Sequence, residues 1–319
     1  MSCGGEAPCI RRFTTIFSTK VEGKFHMIYY IQLLINGIAL GSVYSIIALG
    51  FTLIFSILKF SNFSHGGVMV VSAYFGYIIT NQFDLGFVPM IAITVIFGGL
   101  LSCLAQYIGF ERLRKIKGST MLFFVSSSNL GIFLQNIIVI TFSSTYYSYP
   151  GFFSQKFFQL TPNLTIGVTD VIMLVLSSIG IMILMFVLYK TRLGISIRAL
   201  SMDSEAAKLM GVNVSRVIAL TFFISGVLGA VAGVLCGMKY LLYPQLKDLV
   251  MKGMTASILG GLGNISGALY GGLLLGVMEI FMTNFVGSSL QPAFTFLFAI
   301  VFLILRPQGI SGKFTKEKV

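Results

Sequence analysis

From residue 28 onward the chain alternates between long apolar runs and short polar, often basic, connections. Eight runs stand out, at 28–58, 66–80, 88–109, 121–142, 168–189, 217–240, 264–285 and 289–305. Most approach the ~20 residues that a helix needs to cross ~30 Å of hydrocarbon. A lone strand facing lipid would leave its backbone unpaired, so each run is read as a helix. The short alternating segments of a transmembrane barrel do not occur. The predicted fold class is all-α: a polytopic transmembrane helical bundle of eight to ten spans, some short or broken.

Basic residues mark the connections expected on the cytoplasmic side. The densest are 111–117 (ERLRKIK) and 190–216, while 143–167 carries one lysine and several aromatics and is placed outside. The tail from Arg306 has four basic residues and one glutamate, which puts it inside. Three full spans after 190–216 would leave that tail outside, so another crossing is needed. The Gly-rich stretch 252–263 (KGMTASILGGLG) is the candidate, short enough to be a broken or half-helix of the kind that lines transport cavities. The domain reading is therefore an N-terminal tail at 1–27, a membrane domain at 28–305 with a cytoplasmic loop at 190–216, and a cytoplasmic tail at 306–319.

Composition agrees. Of 319 residues, 56% are hydrophobic and 10% charged, too few charges to clothe a soluble domain of this size. The net charge of +12 sits in loop clusters and forms no basic stripe interleaved with aromatics, which excludes a nucleic-acid groove. Four cysteines (Cys3, Cys9, Cys103, Cys236) without a Cys-x-x-Cys pair, and two histidines, make no zinc site. The first 26 residues lack the apolar core of a signal peptide, and Met27 directly precedes the first apolar run, where an alternative start would fall.

The loop 190–216 holds the most informative segment, GISIRALSMDSEAAKLMG at 194–211. Met202, Ala206, Leu209 and Met210 share one face of a helical wheel, with Ser204 and Lys208 turned away. This predicts a short amphipathic helix over 199–213, suited to a groove on a soluble partner, with Gly211 letting the chain turn sharply afterwards. The pattern Glu205-Ala206-Ala207-x-x-x-Gly211, with Asp203 just before it, resembles the coupling-loop signature of ABC importer permeases.

Further blocks narrow the resemblance. INGIALGSVYSIIALGFTLIF followed by Asn62-Phe63-Ser64-His65-Gly66, then SSSNLGIFLQN, RVIALTFFISGVLGAVAG, LGGLGNISGALYGGLLLG and the tail Arg306-Pro307-Gln308-Gly309-Ile310, are similar to branched-chain amino-acid permeases of the LivH type. The chain departs from that family at Gly67, where an acidic residue commonly follows the His-Gly pair. The resemblance implies a bacterial cytoplasmic (inner) membrane location. It also implies two ABC ATPase subunits, a second related permease subunit forming a heterodimer, and an extracytoplasmic substrate-binding protein. No cofactor is expected on this chain, and ATP is used by the partners. Alternatives are a same-family permease for urea, another amino acid or another small solute, and a stand-alone secondary carrier or channel.

Polar residues inside apolar segments mark candidates for the translocation pathway or gate: Asn62, His65, Gln135, Asn136 and Glu279. For Asn62 and His65 a helix-end cap and an interfacial histidine are the alternatives, and for Glu279 an interhelical hydrogen bond. Gly260, Gly261, Gly263, Gly267, Gly271, Gly272 and Gly276 recur at short intervals and are read as helix-packing residues. No catalytic residues are expected: GISGK at 309–313 lacks the P-loop spacing, and Phe314 stands where the hydroxyl residue would be.

Overall fold

The structure, a computed structural model, describes residues 8–311 except 117, 151–156 and 162–163. Helix α1 (Pro8–Leu58) is followed by α2 (Ser64–Phe83), α3 (Phe87–Gln106), α4 (Arg112–Lys115) and α5 (Thr120–Phe142). A π turn at Tyr107–Glu111 joins α3 to α4, making one rod from Phe87 to Lys115. Strands β1 (Phe157–Thr161) and β2 (Leu164–Gly167) form an antiparallel hairpin inside the segment expected outside, a small departure from an all-helical reading. Then come α6 (Val168–Lys190), α7 (Arg192–Met202), α8 (Ser204–Leu209), α9 (Val214–Tyr240), α10 (Leu249–Gly260), α11 (Ile265–Val286) and α12 (Gln291–Leu305). All eight apolar runs are helices. The expected tail 1–27 lies partly on α1 and partly outside the described residues, as does 312–319 of the C-terminal tail.

Among the described residues six helices are long and apolar enough to cross a membrane: Ile28–Leu58 of α1, the rod Phe87–Lys115, α5, α6, α9 and α11. Their burial sorts them into centre and rim. In the most apolar window, 89% of α1 and 67% of α9 is buried, against 22–28% of the rod, α5 and α6. The rim helices therefore offer their apolar faces to lipid. Helix α2 carries more polar residues, and its neighbours α3, α5 and α9 cover it on most sides.

Lipid tails are as apolar as leucine, so these helices gain little from hydrophobic burial and depend on close packing. Helix α1 packs most extensively on α11. A Cβ at Gly276 would run into the backbone of Gly41, and one at Gly272 into Ser45. The same side of α1 adds Ser45 Oγ donating to the Leu269 carbonyl at 2.8 Å, and Thr52 bonded to Ser257 of α10 at 2.7 Å. Gly260, Gly267 and Gly271 bring α10 against α11 backbone to backbone. Gly261 (φ +107°) and Gly263 (φ +81°), expected as packing residues, instead make the turn between those helices in a conformation that glycine alone adopts freely.

The segment Lys252–Gly263 was expected to supply a missing crossing, and the return of the chain is made by a 3₁₀ turn at Pro244–Asp248 and the twelve residues of α10. As a result Pro307 and Gln308 share a cleft of about 580 Å³ with Ile197 and Arg198 of α7 and with the α10–α11 turn. The C-terminal segment and the basic loop 190–216 thus lie at one end of the bundle. Ile310 N–H donates to the Leu259 carbonyl at 2.9 Å and Ser311 N–H to that of Gly260 at 3.1 Å, holding the segment there. At the other end the loops after α5 and α9 pair through Tyr147 and Leu242, and Lys239 bonds to Asp170. Tyr149 donates to the Ala73 carbonyl at 2.7 Å, and burial raises its pKa, which keeps the donor proton in place.

Gly276→Val should drive α11 off α1 and lower the thermal stability of the purified protein by about 1–3 kcal/mol, as overpacking does. Gly180→Ala, where an added methyl meets only ordinary contacts at 3.5 and 4.0 Å, should leave the melting temperature unchanged.

Candidate functional site

The amphipathic segment forms two helices where one was expected over 199–213. The backbone of Asp203 is extended (φ −155°, ψ 114°), which ends α7. Its Oδ1 accepts from Glu205 N–H at 2.9 Å and Ala206 N–H at 3.1 Å, starting α8. Capturing two otherwise unpaired amides offsets the break in the helix. Ala207 is buried against the bundle, whereas Glu205 and Ala206 are exposed. Gly211 closes the segment at φ +83°, with nothing within 4 Å of an added Cβ. Met202, Leu209 and Met210 are 88%, 89% and 86% exposed, so the tip of the loop presents three large apolar side chains at a polar end of the molecule.

The intramembrane candidates fall into two groups. Asn62, His65 and Glu279 are buried in helix joints. Asn62 Oδ1 accepts from Ser64 N–H at 3.1 Å and Ser64 Oγ at 2.7 Å, which caps the start of α2. His65 fills the joint of α1, α2 and α9, resting on Gly50 and Gly229, with Nδ1 3.2 Å from Ser225 Oγ. Ser225 in turn donates to the Gly50 carbonyl at 2.9 Å, so the imidazole sits on a polar chain linking two helices. Glu279 Oε1 accepts from Lys252 Nζ at 2.5 Å. The same ammonium reaches Tyr44 OH at 3.2 Å and lies 5.5 Å from that ring's centroid. Gln135 and Asn136 form the second group: they stand on the less buried side of α5 and make no side-chain hydrogen bond among the described residues.

Gly67, the position that departs from the resembled family, packs on α5. A Cβ there would stand 3.0 Å from the Gly131 carbonyl and from Leu134 Cβ. A larger side chain at this crossing would require α2 and α5 to separate.

Residues 33–305 match the family model described as branched-chain amino acid transport system / permease component. The chain belongs to that family. It is 32% identical over 302 residues to the high-affinity branched-chain amino acid transport system permease protein BraD of Pseudomonas aeruginosa, covering 91% of this chain and 98% of that protein. It is 31% identical over 310 residues to the permease protein LivH of Escherichia coli, covering 92% and 98%. The fructose import permease protein FrcC of Rhizobium meliloti is 28% identical over 311 residues, covering 91% of this chain and 79% of that protein.

In this permease the Lys252–Glu279 pair has a definite mechanical position. Lys252 stands on the first turn of the half-length α10, Glu279 on α11 and Tyr44 on α1, so this one lysine ties the returning segment to α11 and α1. Sequence reasoning singled out Glu279 but not its partner, because nothing local links residues 27 positions apart. Lys252 carried a signal all the same: a lysine in a Gly-rich apolar stretch needs a counter-charge.

Lys252→Met, which leaves the buried Glu279 without its partner, should destabilise the permease by about 3–5 kcal/mol, and Glu279→Leu, which leaves the part-buried Lys252, should cost less. The double variant should recover most of that loss, read as the melting temperature of the detergent-solubilised protein.

Proposed function

We propose that this chain is the membrane-spanning permease subunit of an ABC importer, passing branched-chain amino acids delivered by an extracytoplasmic binding protein. The observation that carries the reading is the loop tip: an Asp203-capped helix that leaves Met202, Leu209 and Met210 bare at the basic end of a branched-chain permease fold. Apolar side chains so exposed outside the bilayer suit a cleft on a soluble ATPase. Ala206 permits close approach, and Ala207, packed below, transmits displacement of α8 to the bundle. Family membership and the names of the BraD and LivH relatives support the substrate class, while the fructose permease marks the alternative cargo.

In this reading the chain makes nine passes between the two ends, counting α10 with its 3₁₀ turn as one. A second, related permease subunit completes the pathway, and two ATPase subunits supply the work. ATP-driven closure moves α8, and the helices rock between outward and inward openings. ATP is hydrolysed on the partner subunits and not on this chain in this reading.

Two ATPase subunits should co-purify with the wild-type chain. Glu205→Arg or Leu209→Asp should cut leucine uptake by at least ~tenfold, the effect of losing about 1.4 kcal/mol of docking energy. Asp203→Ala should act in the same direction through loss of the cap, worth about 1 kcal/mol to α8. Uptake that proceeds without ATPases, or that is driven by an ion gradient, would defeat the proposal. Competition of labelled leucine with valine and isoleucine, but not fructose, is the expected specificity.

A further inference from the structure

Lys247 and Asp248 end the 3₁₀ turn that leads into α10, and their depth is fixed by what they touch. Gly66 of α2 packs against the Lys247 carbonyl, and its neighbour His65 rests on Gly229 of α9. Gly229 is 15 residues from the start of α9 and 11 from its end, about 22 and 16 Å at 1.5 Å per residue. Both charged residues therefore lie well inside the span of the bundle. At that depth an ionised side chain is expensive unless paired, or unless it faces a water-filled cavity.

Neither is paired. The ion pairs among the described residues are Lys115–Glu111, Lys239–Asp170 and Lys252–Glu279. Asp248 occupies the N-cap position of α10, where an aspartate normally accepts from the first-turn amides, yet makes no capping hydrogen bond. Its side chain is exposed and that of Lys247 half-buried. Both line a groove of about 220 Å³ between α5 and the start of α10, where Phe63, Ile132, Val250 and Met251 supply an apolar wall. Along α5, Ser128 at the groove is followed at helical spacing by Gln135, and Asn129 by Asn136, so a polar stripe leads from the groove toward the end opposite the α8 loop.

One cation, one anion and an apolar wall in a space smaller than the ~300–1,000 Å³ of drug-sized sites complement one class of solute: a zwitterionic amino acid with an apolar side chain. We infer that this groove is a substrate subsite of the permease. Lys247 receives the α-carboxylate, Asp248 the α-ammonium, and Phe63, Ile132 and Met251 the side chain, with Gln135 and Asn136 along the approach. The inference rests on the amino-acid reading of the transported solute given above. It makes the two charges specificity determinants: each compensates the substrate charge that entry into the bundle strips of water.

The test uses the whole transporter, permeases and ATPases, with its binding protein in proteoliposomes. Lys247→Gln and Asp248→Asn should each lower maximal leucine uptake by at least about tenfold, the scale set by losing one hydrogen bond to a charged group. Lys247→Arg and Asp248→Glu should restore most of it, and leucine affinity of the binding protein should not change. As a second readout, a thiol reagent should label Met251→Cys in the assembled complex, and millimolar leucine should slow that labelling unless Lys247→Gln is also present. Leucine import at the wild-type rate by both neutralised variants, or no protection of Met251→Cys, would overturn the subsite and leave the proposed function standing. Loss of the second permease subunit from the neutralised variants would make the charges a subunit contact and also overturn it. A wild-type complex that imports fructose and no amino acid would overturn the substrate reading and the subsite together.

Discussion

The backbone-to-backbone approach of α1, α10 and α11 is the constraint on which the other features depend. Between helices immersed in lipid there is little hydrophobic gain from association, so dispersion and interhelical hydrogen bonds carry the packing. Both require surfaces without bulk. Gly41 against Gly276, and Gly260 against Gly267, provide them, and Ser45 and Thr52 then come within bonding reach of α11 and α10. Without that approach a twelve-residue helix such as α10 would have no means of staying inside the bundle, and Lys252 would have no glutamate to meet.

Holding α10 in place has two consequences. It returns the chain to the end where the α8 loop lies, so the C-terminal segment and the α10–α11 turn share a cleft with α7. It also sets the start of α10 deep in the bundle beside α2 and α5, which puts Lys247 and Asp248 where a soluble loop would never place them. Charge at that depth has opposite meanings at two places: the part-buried Lys252–Glu279 pair fastens helices, and Lys247 and Asp248, unpaired among the described residues, line a groove.

Much of the fold was legible along the chain because the bilayer imposes a length and an apolarity on every crossing; six of the helices satisfy both locally, while α2 and the fifteen-residue α12 do not. The loop motif was legible for a similar reason: Asp203, Glu205, Ala206 and Gly211 are neighbours in sequence, and cap, tip and turn are local geometry. Even so, the break at Asp203 escaped a wheel-based reading, since a capping aspartate can interrupt an amphipathic run without disturbing its periodicity. Gly261 and Gly263 share the spacing of the packing glycines, and only their positive φ sets them apart as turn residues.

The sequence by itself determined that this protein lives in lipid, that its helices alternate with short polar connections of which two are strongly basic, and which family it resembles. It also marked which polar residues are costly in a membrane, because cost depends on residue type and apolar context. It did not determine how that cost is met. Asn62 meets it within its own turn, His65 through Ser225 of another helix and Glu279 through a lysine 27 residues away, while Gln135 and Asn136 make no side-chain hydrogen bond among the described residues. These outcomes differ because a polar group in hydrocarbon is satisfied by whatever stands within about 3 Å of it, and only tertiary packing decides what that is.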